Sequence, residues 1–410
     1  MSKSSNFFGQ PIFSQLINLI SKSSIDTQVA DHGSDHYCKR FTTFQHLITL
    51  LYGVTSGCTS LRELCSGIVS YGDKISHCKF TYAPNKSTLS DANKRRDCKV
   101  FEDIYYNLVH KYRPDLADSR ESLVIDKKVY SIDSTTISLF QPIFECVGRN
   151  PSNGKRKGGV KSHQKLDMQA GIPVKVYHSD AKEHDSLFIQ HEGSANPGEV
   201  LLFDKAYNNY ALFDRWNTMD IGFVTRLKNN AKERLLEEFK LEEATPDHIL
   251  RDAKIGLKYI EKEDQQEKEV TLRLVSFYHK EKNKVYYFLT NLFDEKAQNI
   301  ADLYRKRWEI ELMFKKIKQN FPLQYFYGQN RNAIQIQIWV TLIALLLLSV
   351  MKKKLKQVYS FSNFVSLIQK HLFTYVKFTE FFNDMKSFAK KYLEEANTTN
   401  LEKQTQMEFT

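Results

Sequence analysis

Apolar and polar positions follow two different periods along the chain, and each change of period marks a new part. Up to about residue 115 the spacing is helical. FSQLINLI and FTTFQHLITLLYGV repeat apolar residues three and four apart, and LRELCSGI follows. Pro84 then opens NKSTLSDANKRRDCKVFEDIYYNLVHKY, where Ser87 or Thr88 is placed to cap a helix carrying Lys94, Arg95 and Arg96. A short helix, a turn and a second, basic helix have the outline of a helix-turn-helix, although any small helical domain has turns. From about 120 the period shortens to two. VYSIDSTTISLF alternates, KSHQKLDM and IPVKVYHS flank Gln169-Ala170-Gly171 as a hairpin, and EVLLFD reads as a buried central strand. A helix around YALFDRWNTM and the strand GFVTRLK complete a mixed α/β pattern.

Residues 228–298 change again. Charge runs (KERLLEEFKLEEATPD, EKEDQQEKE) alternate with the strands EVTLRLVSFY and KVYYFLTNL, joined by HKEKN. This reads as a β-rich insertion whose charges are solvated faces. NIADLYRKRWEIELMFKKIKQNF then predicts one long amphipathic helix, an apolar helix follows within 332–350, and further helices run to about 395 before a frayed tail. The expected organisation is therefore a helical, DNA-binding N-terminal domain (1–118), an α/β core in two parts (119–227 and 299–350), the β-rich insertion between them (228–298), and C-terminal helices with a tail (351–410).

The stretch between Arg331 and Lys352 raises a membrane alternative, because it holds IWVTLIALLLL. Asn332, Gln335 and Gln337 occupy its first turns, which suits a buried helix better. The composition, 41% apolar and 26% charged over 410 residues, excludes a mostly disordered chain, a collagen-like fibre and a polytopic membrane protein. The formal charge of +11 favours a polyanionic partner, nucleic acid first. Six scattered cysteines form no C-x-x-C pair, so a zinc knuckle is not expected and reduced thiols are. Met1 is followed by polar SKSSN, which predicts no signal peptide.

Candidate chemistry lies with the carboxylates. Asp133 sits within SIDSTT, and Asp204 ends EVLLFD. An acid at the end of a buried strand is costly unless it is hydrogen-bonded, paired or metal-bound. Two on neighbouring strands repel each other, and a hard divalent cation relieves that repulsion. The plainer alternative is that each caps a turn or meets an arginine. Helical phase selects a third acid. At about 100° per residue, Leu303, Ile310, Phe314, Ile317 and Phe321 share one apolar stripe. Tyr304, Arg307, Glu311 and Lys318 line its edge, while Glu309 points away. The alternative here is a surface helix with a Glu311–Lys315 ion pair.

Tyr304-x-x-Arg307-x-x-x-Glu311-x-x-x-x-x-x-Lys318 resembles the Tyr-Arg-Glu-Lys signature of the type-4 insertion-sequence family of DDE transposases. SIDST resembles the segment around that family's first aspartate, and FDKAY the segment around its second. Gly159-Val160-Lys161-Ser162-His163 resembles the Gly-x-Lys-x-His stretch between them. The resemblance covers roughly 120–350. Ala206 stands where the family commonly has Gly, and the insertion carries no Trp of the kind some relatives stack on a flipped base.

The resemblance implies an RNase H-like catalytic core with a β-rich insertion, preceded by the helical domain and followed by C-terminal helices. It implies that Asp133, Asp204 and Glu311 hold two Mg²⁺ (or Mn²⁺) ions for phosphodiester hydrolysis at element ends and strand transfer into target DNA. Tyr304, Arg307 and Lys318 are then expected to position DNA phosphates. Lys161, His163 and Lys155-Arg156-Lys157 extend the basic path. Sequence reading falls to Lys94, Arg95 and Arg96 on the N-terminal helices. The expected partners are double-stranded DNA, as terminal inverted repeats and as target, and a second copy in a synaptic homodimer. No membrane is expected, and the expected location is the bacterial cytoplasm, with the nucleoid. An RNase H-like nuclease without strand transfer shares the acids but not the signature helix. A non-catalytic DNA-binding protein on the same scaffold keeps only the basic surfaces.

Overall fold

The computed structural model describes residues 9–117, 123–138, 159–180, 183–191, 194–241, 246, 248–261, 263, 265–387 and 389–390. They fall into two compact units. One takes the chain up to Leu108, Gln319–Gly328 and everything from Asn332 onward; the other takes Val109–Lys318 and Gln329–Arg331.

The helical unit opens with β1 (Gln10–Pro11), α1 (Ile12–Ile17), α2 (Lys22–Asp31), α3 (Thr43–Ser56), α4 (Leu61–Ser70), α5 (Lys86–Arg95) and the start of α6 (Cys98–Leu116). α3 is buried from Thr43 to Thr55, which is why its sequence is apolar beyond one face. The Thr42 hydroxyl accepts from the Gln45 amide at its start, and Gly57 (φ +77) ends it in the left-handed conformation that glycine adopts without strain. Ser60 caps α4 through the Glu63 amide, and the Glu63 carboxylate accepts from the Thr59 amide at 2.6 Å. Two details differ from expectation. α5 begins behind Asn85, so neither Ser87 nor Thr88 is its cap. The helix expected to carry Arg96 also ends at Arg95, and the extended backbone of Arg96 separates α5 from α6.

The second unit is built on one nine-stranded sheet. β2 (Lys128–Ser138), β3 (Gly159–Asp167) and β4 (Pro173–Asp180) form an antiparallel meander. Asp167 closes the β3–β4 turn by accepting from the Gln169 and Ala170 amides, and Gly171 (φ +66) lets the chain turn back. β5 (Glu199–Phe203) runs parallel to β2, and β6 (Gly222–Arg226) parallel to β5, with α7 (Tyr210–Thr218) between them. Every residue of β5 is buried, as a strand covered on both faces requires.

The charged segment after β6 adds β7 (Glu233–Glu238), β8 (Ile249–Ile260), β9 (Glu267–His279) and β10 (Lys284–Thr290). β10 pairs antiparallel with β6, so the insertion continues the main sheet instead of standing apart from it. The strand order is β4-β3-β2-β5-β6-β10-β9-β8-β7. Its first five members, an antiparallel meander followed by two parallel strands, are the RNase H-like core. The acidic β7 forms the outer edge, where charge discourages further strand pairing. Ile132, Phe203, Phe213, Trp216 and Phe223 share a core cluster with Leu272 and Leu274 of β9. A buried Arg273 grips both Asp252 oxygens and donates to the carbonyls of Leu292, Phe293 and Glu295, which fixes the run into the next helices.

Those helices correct an expectation. The segment predicted as one long helix is two, α8 (Ala297–Lys306) and α9 (Trp308–Asn320), interrupted at Arg307. There the Arg307 amide donates to the Tyr304 carbonyl and the Ile310 amide to the Arg307 carbonyl, three residues apart instead of four. The Arg307 carbonyl also accepts from the Ser131 hydroxyl at 3.4 Å, an outside donor that loosens the ladder.

The chain then enters α10 (Arg331–Lys353), α11 (Phe361–His371), β11 (Tyr375–Val376), which pairs with β1, and α12 (Phe378–Asn383). From Asn332 these belong to the helical unit, although the chain's pattern puts 299–350 with the core. α10 is long and apolar enough to cross a membrane, but 89% of its most apolar stretch is buried within the protein. Its polar residues have internal work. Asn332 donates to the carbonyls of Asn93 and Arg96, and the Gln337 oxygen accepts from the Tyr327 amide at 2.8 Å.

Candidate active site

The register of β2 on β5 sets the positions of two acids. Ile132 pairs with Phe203, and the parallel pairing stops there. Asp133, midway along β2, and Asp204, just past the end of β5, therefore lie side by side where the parallel pairing gives out, the kind of place where open α/β sheets bind ligands. The Asp133 carboxylate accepts from the Ser134 amide at 2.8 Å. Burial raises its pKa to about 6, with Glu311 and Asp185 adding to the rise, while the Ser134 amide and Arg307 counteract it. Asp204 differs. Burial alone would raise it, but the Arg226 hydrogen bond (2.5 Å) and the Ala206 amide outweigh burial and hold the carboxyl below its ordinary value.

α8 and α9 supply the third acid. Leu303, Ile310, Phe314, Ile317 and Phe321 are all buried, so the apolar stripe lies where its spacing put it. Arg307 stands between two acids. Its Nη2 donates to Glu311 Oε1 at 2.6 Å, and its Nη1 lies 3.5 Å from Asp133 Oδ2. Glu309 turns instead to Lys306 at 3.4 Å. Glu311 is thus paired within this cluster and not with Lys315. Tyr304 packs on Phe288, with Arg226 and Arg307 both over its ring. Lys318 is exposed on α9 and touches none of the acids.

Three expected DNA contacts are placed otherwise. His163 is fully buried, its Nε2 3.0 Å from the Ser179 hydroxyl and its ring stacked on Phe188. Lys161 is turned inward. Its ammonium donates to the Glu183 carbonyl at 2.6 Å and pairs with Asp185 at 3.3 Å. Arg96 is 6% exposed, and its guanidinium donates to the Phe41 carbonyl and pairs with Asp35. A phosphate does not reach a guanidinium buried in this way. Lys94 and Arg95 remain exposed on α5. Lys155-Arg156-Lys157 lie outside the described residues.

Other residues of the cluster went unread in the sequence. Arg226 ends β6 level with the acids, a strand-end position that the sheet rule would have picked out. Asp185 begins a 3₁₀ turn (Asp185–Gln190) after β4 and accepts from the Ser134 hydroxyl at 2.6 Å; no periodic pattern marks it. Tyr207 is buried nearby, and burial, followed by the charges of Asp133 and Asp185, keeps its phenol protonated well beyond its ordinary range. A cavity of about 1050 Å³ opens beside Tyr304, lined among others by Arg226, Phe277, Tyr286, Phe288 and Trp308.

Together β2, the end of β5 and α9 bring carboxylate oxygens beside two arginines, a donor set suited to a hard divalent cation and a phosphate. The charge of Arg307 does not offset the burial of Asp133, whose carboxyl therefore stays above its ordinary value. Among the described residues, no three His, Cys, Asp or Glu side chains gather closely enough to hold a metal ion as they stand.

Residues 125–347, more than half of the chain, match the family described as Transposase DDE domain. Residues 8–78 match a Domain of unknown function (DUF4372). The chain is 28% identical to a putative transposase, y4zB, of Sinorhizobium fredii over 71% of its own length and 78% of the relative's. It is 28% identical to a putative transposase for insertion sequence element IS4SA of Synechocystis sp. (65% and 71% covered). It is 21% identical to a transposase for insertion sequence element IS231E of Bacillus thuringiensis subsp. finitimus (62% and 64%).

Proposed function

The chain belongs to the Transposase DDE domain family and is a DNA transposase of the insertion-sequence type, and from that premise we propose that Asp133, Asp204 and Glu311 are its catalytic carboxylates. The observation that carries this reading is the convergence of the three acids on two arginines. Asp133 and Glu311 share Arg307, and Asp204 is held by Arg226. Divalent metal use comes with the family. We assign two Mg²⁺ or Mn²⁺ ions to these acids; when bound, they supply a lowered water pKa and charge neutralisation at the leaving 3′-oxygen.

The protein's own side chains have separable tasks. Asp133, Asp204 and Glu311 present oxygens on one side of the scissile phosphate. Arg226, partly exposed, brings positive charge to the same place and orients phosphate oxygens, while the buried Arg307 holds Asp133 and Glu311 together. Tyr304 stiffens the arginines by stacking beneath both. Lys318, further along α9, meets the DNA backbone without reading its sequence. Lys94 and Arg95 on α5 are the remaining candidates for base or backbone contact by the N-terminal domain (1–118).

The substrates in this reading are the inverted repeats at the element ends, then target DNA. The reaction is excision by phosphodiester hydrolysis, followed by attack of the freed 3′-hydroxyl on the target. Two copies act together on paired ends, in the bacterial cytoplasm at the nucleoid. The test uses the purified chain and a DNA fragment carrying the sequences that flank its own reading frame. Cleavage at short inverted repeats, present with Mg²⁺ or Mn²⁺ and absent with excess chelator, is the expected result. Nicking at random positions would leave only a nuclease, and robust cleavage in chelator would remove the metal assignment.

A further inference from the structure

Asp185 lies outside the three acids assigned above, yet it is tied to the strand that carries Asp133. Successive residues of β2 face opposite sides of the sheet. Asp133 and Ser131 face α8 and α9, where both meet Arg307. Ser134 faces the other side. Its hydroxyl donates to Asp185 Oδ1 at 2.6 Å. Its amide, just beyond the last β2–β5 pair, donates to Asp133 Oδ1 at 2.8 Å. Ser134 is thus held at one end by Asp185 and itself holds Asp133 at the other.

Asp185 is in turn immobilised. Lys161 Nζ stands 3.3 Å from the same Oδ1, and His163 Nδ1 stands 3.8 Å from it. His163 is opposite Ser134 in the β2–β3 ladder, so its place is set by the sheet. The 3₁₀ turn bearing Asp185 is anchored by Phe188, fully buried and stacked on His163 at 5.5 Å. Lys161 and His163, expected on the DNA path, instead form the mounting of this carboxylate.

We propose that Asp185 is a positioning residue for Asp133, acting across the sheet through the two hydrogen bonds of Ser134. This rests on the assignment of Asp133 as a metal-binding acid. Asp185 does not touch substrate. It holds the Ser134 hydroxyl, the hydroxyl holds the backbone at Ser134, and the amide there orients one Asp133 oxygen. Partners of this kind orient ligands, and removing them typically weakens metal affinity about 10- to 100-fold.

The experiment is a Mn²⁺ titration of the full-length protein, followed by loss of the free-ion paramagnetic resonance signal, with melting curves for every variant. Asp185→Ala and Ser134→Ala should each raise the half-saturating Mn²⁺ concentration about 10-fold. The double variant should be no weaker than Asp185→Ala alone, because both remove one linkage. Asp185→Asn keeps an acceptor for Ser134 and should recover most of the binding. Ser134→Ala leaves the Asp185–Lys161 pair intact, so it decides the matter should Asp185→Ala fold poorly. Asp133→Ala is the reference. If Asp133→Ala loses Mn²⁺ while Ser134→Ala and Asp185→Ala bind as the unaltered protein does, the positioning role is wrong and the function stands. If Asp133→Ala also binds normally, both readings fall. An equal loss in Asp185→Asn and Asp185→Ala would overturn the hydrogen-bond route in favour of charge alone.

Discussion

Arg307 lies one helical turn before Glu311 and donates to its carboxylate at 2.6 Å, while reaching towards Asp133 with the other arm of the same guanidinium. Glu309, two residues from Glu311, faces Lys306 instead. Glu311→Ala should therefore abolish DNA cleavage, and Glu309→Ala should leave it within about threefold, since an exposed helix ion pair contributes well under 1 kcal/mol. A cleavage assay on both variants checks this. Retained activity in Glu311→Ala with loss in Glu309→Ala would reverse the assignment.

Asp133→Ala and Asp204→Ala should each eliminate cleavage yet leave DNA binding largely intact. Both side chains are acidic, so neither attracts phosphate in the absence of metal. Gel-shift and cleavage measurements on the same preparations separate the two effects. A variant that lost binding and cleavage together would point to a structural role for that acid.

Asp133 also predicts a pH dependence of stability. Its folded-state pKa, raised to about 6 by burial, exceeds the ordinary value of 3.8. Between those values the folded state holds the proton more tightly than the unfolded state. Stability from this group is therefore greatest at low pH, falls as pH rises towards 6, and stays low above it. Asp133→Asn removes the penalty and should stabilise the metal-free protein at pH 7.5 by about 1–3 kcal/mol. The gain should vanish below about pH 4. Melting curves in chelator at the two pH values test this, and a less stable Asp133→Asn protein at pH 7.5 would refute it.

Arg95 and Arg96 are neighbours with opposite fates. Arg96→Ala leaves Asp35 its two Thr43 hydrogen bonds but strips the Phe41 carbonyl of its donor and empties a buried site, so it should cost about 2 kcal/mol or more of stability. Arg95→Ala should leave the melting temperature nearly unchanged and weaken DNA binding, with a shallower dependence on salt. Melting and salt-titrated binding curves distinguish them. An Arg96→Ala protein of full stability with a specific DNA-binding defect would restore Arg96 to the interface.

Lys318→Ala should weaken binding of unrelated DNA sequences to similar degrees, because a phosphate contact carries no sequence information. Competition binding with several duplexes measures it. A loss confined to one sequence would contradict the phosphate role.

Elements whose signal is local are legible in the chain. The alternation in SIDSTT, the continuous apolar run of EVLLF and the hairpin around Gln169-Ala170-Gly171 each appear as strand or turn where they were read. The helical stripe through Ile310, Phe314 and Ile317 likewise set the direction of Glu311, because side-chain phase on a helix is a property of spacing alone. Tertiary structure alone decided what each charge meets. Arg95 and Arg96 are indistinguishable as sequence, yet one points to solvent and the other is buried against Phe41 and Asp35. Lys161 and His163 look like a basic path until β3 pairs with β2 and turns both towards Asp185. The carbonyl at the Arg307 break accepts from a serine 176 residues away. Burial and ion pairing depend on which distant segments arrive at the same place, and no local pattern encodes that arrival.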